Sequence, residues 1–270
     1  MKVAFIGGGN MASAIIGGLV AREFPRADLL VVEVDSNARM RLTASFGVKA
    51  IEAPANALAE ADVIVMAVKP QQMREAARAI APFAGRALVV TIAAGIRLED
   101  LSRWLSGHDR LVRAMPNMPA LVHAGITGLF ASPSVSGEDR RAAEMLMSAV
   151  GATLWFERES DLDTVTAVSG SGPAYVFYAL EALETAAREL GIEAGAARSL
   201  ALWTFVGAAK LAIERSEGPA ELRAQVTSKG GTTERAIEML ERAEVKARFI
   251  EAVKAACERS HELGAAYGRD

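Results

Sequence analysis

Cysteine, histidine and clustered charge are all scarce in this chain of 270 residues. The single cysteine, Cys257, excludes a disulfide within the chain and a metal site built on cysteines. The formal net charge is only −3, and lysine and arginine are scattered along the sequence. This distribution argues against nucleic acid or an anionic membrane surface as the main partner. We expect no bound metal ion.

Targeting and membrane-spanning segments are also missing from the sequence pattern. Lys2 is followed at once by a short strand pattern and glycines, whereas a secretory signal peptide has an apolar region and a cleavage site. No uncharged apolar run reaches the roughly 18 residues that a membrane span needs. We therefore expect a cytoplasmic protein with no membrane contact.

Hydrophobic residues make up 51% of the chain, which is enough for a full core and favours two domains. In the first half, short β-rich runs alternate with helical runs, the pattern of a Rossmann-type, doubly wound α/β domain with a parallel sheet. The predicted strands are 3–6, 29–33, 63–68, 88–92, 111–114 and 153–155. The predicted helices are 11–20, 37–45, 71–80 and 137–149.

From Asp161 the strand pattern disappears, and long Ala, Leu, Glu and Arg stretches predict an all-α domain. We expect domains at 1–160 and 161–270, the second serving for dimerisation and substrate binding. Its predicted helices are 173–190, 194–215, 230–242 and 245–264. The stretch 196–213 is apolar around much of its circumference, so a partner subunit is expected to cover it.

A glycine-rich turn follows the first strand and opens the first helix, in the pattern G-x-G-x-x-A. The first glycine permits a tight turn, the second lets the backbone approach a pyrophosphate, and the alanine lets the helix pack closely on the sheet. The turn therefore predicts a dinucleotide coenzyme. The residues expected to contact it here are Gly7, Gly9, Asn10, Met11 and Ala12.

The end of the second strand bears on the choice of coenzyme, because an acid there binds the ribose diol and a base accepts a 2′-phosphate. Glu33 is our first candidate for that acid and Asp35 the second, and both favour NADH. The alternative is that either is a solvated strand end. Arg39 and Arg41 on the next helix keep NADPH open as well.

Ligands of open α/β sheets lie beyond the carboxyl ends of the strands. Two segments of small residues, each directly after a strand and here called the exit of that strand, are therefore expected to line the nicotinamide half of the coenzyme. They consist of Val68, Lys69 and Pro70 after one strand, and Ala93, Ala94 and Gly95 after the next. Lys69 faces either coenzyme or substrate in this interpretation, or is simply a solvated loop lysine.

A loop near the C-terminus combines hydroxyls with two adjacent glycines, Gly230 and Gly231, and precedes a helix. Adjacent glycines let backbone N–H groups converge, and a helix start adds further donors, so the loop suits a small carboxylate. The alternative is an ordinary Ser or Thr helix cap.

No obvious proton donor for carbonyl reduction is present. His108 is expected in an exposed turn and His261 in the last helix, so His123, in a loop near Pro119, is the one histidine considered for the site. No lysine occurs between Lys69 and Lys210, so the helix 173–190 lacks the lysine that β-hydroxyacid dehydrogenases carry. An imine explains the missing acid, because a protonated C=N accepts hydride without forming an oxyanion.

Five segments, in order, make the whole chain resemble pyrroline-5-carboxylate reductases. They are 5–11, 68–71, 113–119, 169–175 and 226–233. The resemblance implies reduction of 1-pyrroline-5-carboxylate to L-proline with NADPH or NADH, the last step of proline biosynthesis. It also implies a Rossmann domain followed by a helical domain that interlocks homodimers, often assembled into decamers.

The resemblance implies roles for particular residues. Ser228 and the N–H groups near Thr232 and Thr233 hold the substrate carboxylate, and the Thr233 hydroxyl bonds to the ring nitrogen. Ser228 and Thr233 are thus the expected catalytic residues. Asn56 matches an asparagine near the coenzyme ribose, with a helix cap as its alternative. The remaining implied contacts are Val226 and Gly231 for the substrate and Asn117 for the coenzyme.

Two positions depart from the family pattern. Lys229 stands where a proline is usual, and Met118 stands where a threonine is usual. Other functions stay open at this point: a β-hydroxyacid dehydrogenase, another imine reductase, or a non-catalytic dinucleotide-binding protein. The sequence also leaves open the preferred coenzyme, the oligomer size and any regulation by proline.

Overall fold

An eight-stranded sheet organises the first half of the computed structural model, which describes residues 1–269. The strands are β1 Val3–Ile6, β2 Leu29–Val32, β3 Lys49–Ile51, β4 Val63–Met66, β5 Leu88–Thr91, β6 Leu111–Met115, β7 Gly125–Ala131 and β8 Gly151–Trp155. Their order across the sheet is β3-β2-β1-β4-β5-β6-β7-β8. The order reverses direction between β1 and β4, and this switch point is where open α/β sheets bind ligands.

The helices of the same half are α1 Asn10–Ala21, α2 Ser36–Phe46, α3 Met73–Ala84, α4 Leu98–Trp104, α5 Gly137–Ser148 and α6 Asp161–Val165. A π-helical segment, Thr166–Gly170, follows α6. The rest of the chain forms α7 Gly172–Glu189, α8 Ala194–Glu214, α9 Pro219–Gln225, α10 Thr232–Arg242 and α11 Val245–Tyr267.

The two faces of the sheet carry separate apolar cores. Along β1, Val3 and Phe5 belong to one buried cluster, whereas Ala4 and Ile6 belong to the other. Successive side chains of a strand point to opposite faces, so a strand covered on both sides has to be apolar throughout. This requirement explains why β1 reads Val-Ala-Phe-Ile, with every residue buried.

The predicted Rossmann-type α/β fold is confirmed, with two differences. The six predicted strands are present, with ends that move by at most two residues. However, β3 and β7 were not predicted, nor were the helices α4, α6 and α9. The sheet is also not wholly parallel, because β7 runs antiparallel to β6. Two glycines in β7 weaken its strand pattern, and β3 has only three residues.

The compact units differ from the predicted ranges 1–160 and 161–270. The first unit contains Met1–Ser171 and also the chain from Ala256 onward, and the second is Gly172–Ala255. The physical reason is that α6 and the C-terminal part of α11 are bound to the first unit by polar side chains. For example, the Ser260 hydroxyl donates to the Asp163 carboxylate at 2.9 Å.

Within the second unit, α7 packs against α8, and the rings of Tyr175 and Phe249 meet edge to face, with centroids 5.5 Å apart. Many large apolar side chains on these helices are exposed in the single chain, among them Phe177, Leu200 and Trp203. By length and composition alone, α8 is also apolar enough to cross a membrane. The expectation that no segment spans a membrane rested on the lack of an uncharged apolar run of about 18 residues, and Arg198 and Lys210 do lie within this helix.

Candidate functional site

The glycine turn between β1 and α1 has the shape that a pyrophosphate requires. Gly7 has φ +97°, and a Cβ atom there would lie 2.8 Å from the Ala67 carbonyl oxygen. Gly9 is the N-cap of α1, and a Cβ atom there would meet nothing within 4 Å. The space before the helix is therefore open, and the first-turn N–H groups, which have no intrahelical acceptor, face a suitable anion position. These residues fit a dinucleotide.

The Glu33 carboxylate lies directly beside this turn. Its Oε2 accepts a hydrogen bond from the Gly8 N–H at 2.7 Å, and its Oε1 accepts one from the Asp35 N–H at 2.9 Å. The Asp35 carboxylate accepts instead from the Asn37 N–H and caps α2. Of the two acids proposed from the sequence, Glu33 is thus the one that contacts the glycine turn.

The two arginines that kept NADPH open differ in their surroundings. Arg39 donates to the backbone carbonyls of Glu33 and Val34, at 2.7 and 2.9 Å. It also forms a 3.4 Å ion pair with Glu52. Arg41 is exposed on α2. Arg39 therefore stabilises the backbone just after β2 by donating to its carbonyl groups.

The two small-residue exits lie at neighbouring strand ends, because β4 pairs with both β1 and β5. A Cβ atom on Gly7 would lie 3.1 Å from a Val68 methyl carbon, so the exit of β4 adjoins the glycine turn. Lys69 is exposed, Pro70 begins a short 3₁₀ turn, and Gly95 has φ +76°. Ala93 is buried and Ala94 is half-buried. The structure thus brings these predicted coenzyme residues to one edge of the sheet.

Two asparagines proposed for the coenzyme differ in their surroundings. Asn56 is exposed at the start of a 3₁₀ turn whose N-cap is Ala55, so the alternative role as the cap is wrong. Asn117 is only 8% exposed. Its side-chain amide donates to the Ser169 carbonyl at 3.1 Å and accepts from the Ile126 N–H at 2.9 Å. Asn117 thus fixes the π-helical segment to the sheet, and its coenzyme contact stays a prediction.

Sequence reasoning missed a buried charge network around Arg113. This arginine is 1% exposed and pairs with Glu159 at 3.3 Å and with Asp163 at 3.5 Å. Asp163 also pairs with Arg97 at 2.6 Å. Burial lowers the pKa of the Arg113 guanidinium, and the neighbouring carboxylates oppose that shift. The available signal was a lone charge inside the apolar strand Leu-Val-Arg-Ala-Met.

The loop before α10 is exposed to half-buried in the single chain. Gly231, not a Ser or Thr, is the N-cap of α10, so the alternative of an ordinary hydroxyl cap is wrong. Gly230 has φ +72°, and the Gly231 N–H donates to the Ser228 carbonyl at 3.0 Å. Thr232 and Thr233 are the first two residues of the helix, so their N–H groups belong to its unsatisfied first turn.

Glu234 modifies this loop in a way that the sequence did not reveal. Its carboxylate accepts from the Gly230 N–H at 2.6 Å. One backbone donor near the expected carboxylate position is therefore already bonded to an acid of the chain. The donors that follow it, at Thr232 and Thr233, lie in the first turn of α10.

The histidines have ordinary surroundings. His108 bonds through its Nε2 to the Ala87 carbonyl at 2.9 Å, and His123 and His261 are exposed. Within residues 1–269, no three His, Cys, Asp or Glu side chains are grouped to hold a metal ion.

The sheet topology and the turn before α1 define a dinucleotide-binding oxidoreductase of Rossmann type. A family model described as pyrroline-5-carboxylate reductase dimerisation matches residues 159–263. Residues 2–95 match a model described as NADP oxidoreductase, coenzyme F420-dependent. The second description names both NADP and coenzyme F420, and it describes the family of that model.

Relatives match over almost the whole chain. The pyrroline-5-carboxylate reductase of Pseudomonas aeruginosa is 42% identical over 269 residues, 99% of this chain and 98% of the relative. The Arabidopsis thaliana enzyme of that name is 38% identical, with 97% of this chain and 95% of the relative covered. The chain therefore belongs to the pyrroline-5-carboxylate reductase family.

Solved structures agree with this assignment. The pyrroline-5-carboxylate reductase of Coxiella burnetii superposes with a TM-score of 0.92 at 38% identity, covering 97% of this chain and 98% of the other. A Plasmodium falciparum pyrroline carboxylate reductase with NADP bound gives 0.88 at 26% identity, with 98% of each chain covered. The match to a dimerisation model also means that the helical half serves oligomer formation.

Proposed function

We propose that this chain reduces 1-pyrroline-5-carboxylate to L-proline with NADPH or NADH, the final step of proline biosynthesis. The observation that carries the proposal is the identity of 42% over 99% of the chain with a reductase of that name. This similarity extends through both the glycine turn and the loop before α10. The chain therefore combines both binding elements of a small-molecule reductase, the glycine turn and the loop before α10.

The chemistry suits a site without a proton donor. Bound NADPH or NADH supplies a hydride to the carbon of the protonated C=N group, which becomes a secondary amine. Because no oxyanion forms, the residues of the chain have to bind and orient the substrate and keep water away. This requirement explains why none of the three histidines is needed as an acid.

We assign the substrate to the loop before α10. Ser228, the Gly231 turn and the N–H groups of Thr232 and Thr233 bind the carboxylate, and Val226 completes the loop. The first turn of α10 supports this assignment, because its free donors and positive dipole end favour an anion. The Thr233 hydroxyl bonds to the ring nitrogen.

We assign the coenzyme to the carboxyl end of the sheet. The pyrophosphate lies on the turn before α1, the ribose lies near Glu33, and the nicotinamide lies by the exits of β4 and β5. The engagement of Glu33 with the Gly8 N–H supports this arrangement and favours NADH. The assigned residues are Gly7, Gly9, Asn10, Met11, Ala12, Glu33, Asp35, Asn56, Val68, Lys69, Pro70, Ala93, Ala94, Gly95 and Asn117.

The test is oxidation of NADH and of NADPH by the purified chain, with pyrroline-5-carboxylate as substrate and 3-hydroxy acids in parallel. Turnover only with the imine is the expected result. Turnover only with 3-hydroxy acids would favour a β-hydroxyacid dehydrogenase. Coenzyme binding with no turnover of either would favour a non-catalytic dinucleotide-binding protein.

A substitution pair tests the substrate loop. We expect Thr233→Val to lower kcat/KM for pyrroline-5-carboxylate by about 10- to 100-fold, because one polar contact to a charged substrate is lost. Thr233→Ser keeps the hydroxyl and should stay near the wild-type value. Equal kinetics for the Val and Ser variants would remove the hydroxyl from the mechanism.

We also propose a cytoplasmic homodimer that forms through the helical half, with further assembly into a decamer. The apolar surface of α8 supports this proposal, because a second copy of the chain is the cover that a dimerisation domain supplies. On this view α8 is an interface helix and contacts no membrane. Sedimentation of the purified chain without detergent tests both the oligomer size and the absence of membrane contact.

A further inference from the structure

The last turn of α11 reaches the coenzyme side of the first unit. The chain from Ala256 onward belongs to that unit, together with Met1–Ser171. The Tyr267 hydroxyl accepts a hydrogen bond from the Gln71 side-chain amide at 3.1 Å. Gln71 directly follows Pro70 in the exit of β4. A residue far along the sequence thus contacts one of the two loops assigned to the nicotinamide.

The same tyrosine contacts the other loop with its ring. A Cβ atom on Gly95 would lie 3.1 Å from Tyr267 Cδ2 and 3.2 Å from Cε2. Gly95 also has φ +76°, a conformation that disfavours any side chain. The ring packs on the apolar cluster that contains Ala93 and Ile96. Tyr267 therefore occupies the space where a side chain at position 95 would have to lie.

Other contacts hold the end of α11 in this position. Ser260 donates to Asp163 at 2.9 Å, and Arg103 donates to the Gly268 carbonyl at 2.7 Å. Gly264 is buried, and a Cβ atom there would lie 3.0 Å from the Arg97 side chain and 3.4 Å from the Gly95 carbonyl. The tyrosine is thus presented by an anchored helix rather than by a free end.

We propose that Tyr267 is a positioning residue for the coenzyme, joining the loop after β4 to the loop after β5. The hydroxyl restrains the first loop through Gln71, and the ring restrains the second at Gly95. Because β4 and β5 are neighbours, the two contacts together fix the width of the opening at their carboxyl ends. This inference rests on the proposed location of the coenzyme.

The experiment measures NADH binding by fluorescence titration, together with kcat and both KM values. Loss of one net hydrogen bond predicts that Tyr267→Phe raises the Kd for NADH about 2- to 10-fold. Tyr267→Ala should raise it further, because the ring contact is lost as well. The kcat and the KM for pyrroline-5-carboxylate should stay within about twofold of wild type, since the substrate loop keeps its contacts.

A double-mutant cycle isolates the contact. Gln71→Ala should match Tyr267→Phe, and the double variant should be no worse than either single one, because both remove the same bond. Gln72→Ala is the matched control, since both glutamines are exposed but the hydrogen bond to Tyr267 comes from Gln71, and this variant should bind NADH like wild type.

Several results would overturn the proposal. One is an unchanged Kd for NADH in both Tyr267→Phe and Gln71→Ala. Another is strict additivity in the cycle, and a third is a fall in kcat with no change in Kd. The ring-preserving Phe variant carries the test if Tyr267→Ala does not fold. Failure of the proposed function itself would appear separately, as a wild-type chain that does not turn over pyrroline-5-carboxylate with either NADH or NADPH.

Discussion

Glu33 uses both of its carboxylate oxygens on backbone N–H groups, those of Gly8 and Asp35. These bonds fix a negative charge beside the glycine turn, where the adenine ribose of a dinucleotide lies in Rossmann folds. A ribose diol can share such a carboxylate, whereas a 2′-phosphate is repelled by it. At the scale of single residues, this arrangement favours NADH.

We expect Glu33→Gln to raise the ratio of NADPH affinity to NADH affinity by about 10-fold, since a close charge repulsion is removed while the side-chain size is kept. Fluorescence titration with both coenzymes measures the ratio. Glu60→Gln is the control, because Glu60 is an exposed acid that pairs with Lys2 at the opposite edge of the sheet. An unchanged ratio in the Glu33 variant would show that another residue sets the preference.

How far single residues could be predicted depends on the range of their contacts. The backbone demands on Gly7 and Gly9 are local, so the sequence revealed them. The partners of Asn117 could not be predicted, because Ser169 lies 52 residues away along the chain. The contact between Glu234 and Gly230 is local, but it depends on a side-chain conformation that the sequence pattern does not specify.

Helix α5 begins with a reciprocal cap, and this cap is also bonded to Arg110, the residue before β6. Ser136 Oγ accepts from the Asp139 N–H at 3.1 Å, and the Asp139 carboxylate accepts from the Ser136 N–H at 3.1 Å. Arg110 also donates to Asp139 at 2.6 Å. Burial opposes ionisation of Asp139, but the bonds from Arg110 and Ser136 outweigh it and hold the pKa below 3.8.

This cap predicts a pH dependence of stability. A carboxyl with a lowered folded-state pKa contributes its full stability above the unfolded value of 3.8, and loses it as the pH falls through the folded-state pKa. We expect Asp139→Asn to cost about 1–2 kcal/mol in unfolding free energy at pH 7. The difference from wild type should shrink below pH 3.8, as urea unfolding at both pH values would show.

The neighbouring acid provides the control for this measurement. Glu138 is exposed in the same first turn of α5. Glu138→Gln removes only a favourable helix-dipole interaction and should lower the unfolding free energy by roughly 0.3–1 kcal/mol. Equal losses in the two variants would mean that net charge, rather than the cap, determines the effect.

Helix α6 is fixed by the charge of Arg113. Asp163→Asn leaves this buried guanidinium with one carboxylate fewer, so we expect it to cost about 3–5 kcal/mol of stability. Asp161→Asn is the matched change on the same helix, where the partner Arg158 is exposed, and it should cost less than about 1 kcal/mol. Thermal unfolding of both variants makes the comparison, and similar melting temperatures would contradict the assigned role of the network.

Among the elements, β7 shows why strand patterns fail. A Cβ atom on Gly128 would lie 2.8 Å from a methyl carbon of Val165, so α6 can pack there only against a glycine. The residue that tertiary packing requires is one that lowers strand propensity. In contrast, β1 and β4 are buried on both faces, and their continuous apolar runs identified them.

At the scale of the whole molecule, the exposed apolar surface of α8 implies self-association. Trp203 is 72% exposed in the single chain. We expect Trp203→Glu to shift the molecular mass in light scattering from that of an oligomer toward that of one chain, because an interface centre tolerates no unpaired charge. Val122→Glu is the control, since Val122 is equally exposed at 72% but lies in the first unit.

If both variants kept the wild-type mass, Trp203 would lie outside the interface. The sequence predicted this association from the apolar circumference of the helix. It did not predict that α11 ends in the first unit, because the contact between Ser260 and Asp163 joins residues 97 positions apart. No local pattern encodes such a pairing.

The return of α11 has a consequence for the order in which the protein matures. Residues 172–255 are translated between the two parts of the first unit. While the ribosome is still making them, the nucleotide half emerges without the tyrosine beneath Gly95. The first unit is therefore the first to be synthesised and the last to be completed. A fragment that stops at Ser171 should bind dinucleotide less tightly than the same fragment supplied with the C-terminal part of α11 as a separate peptide.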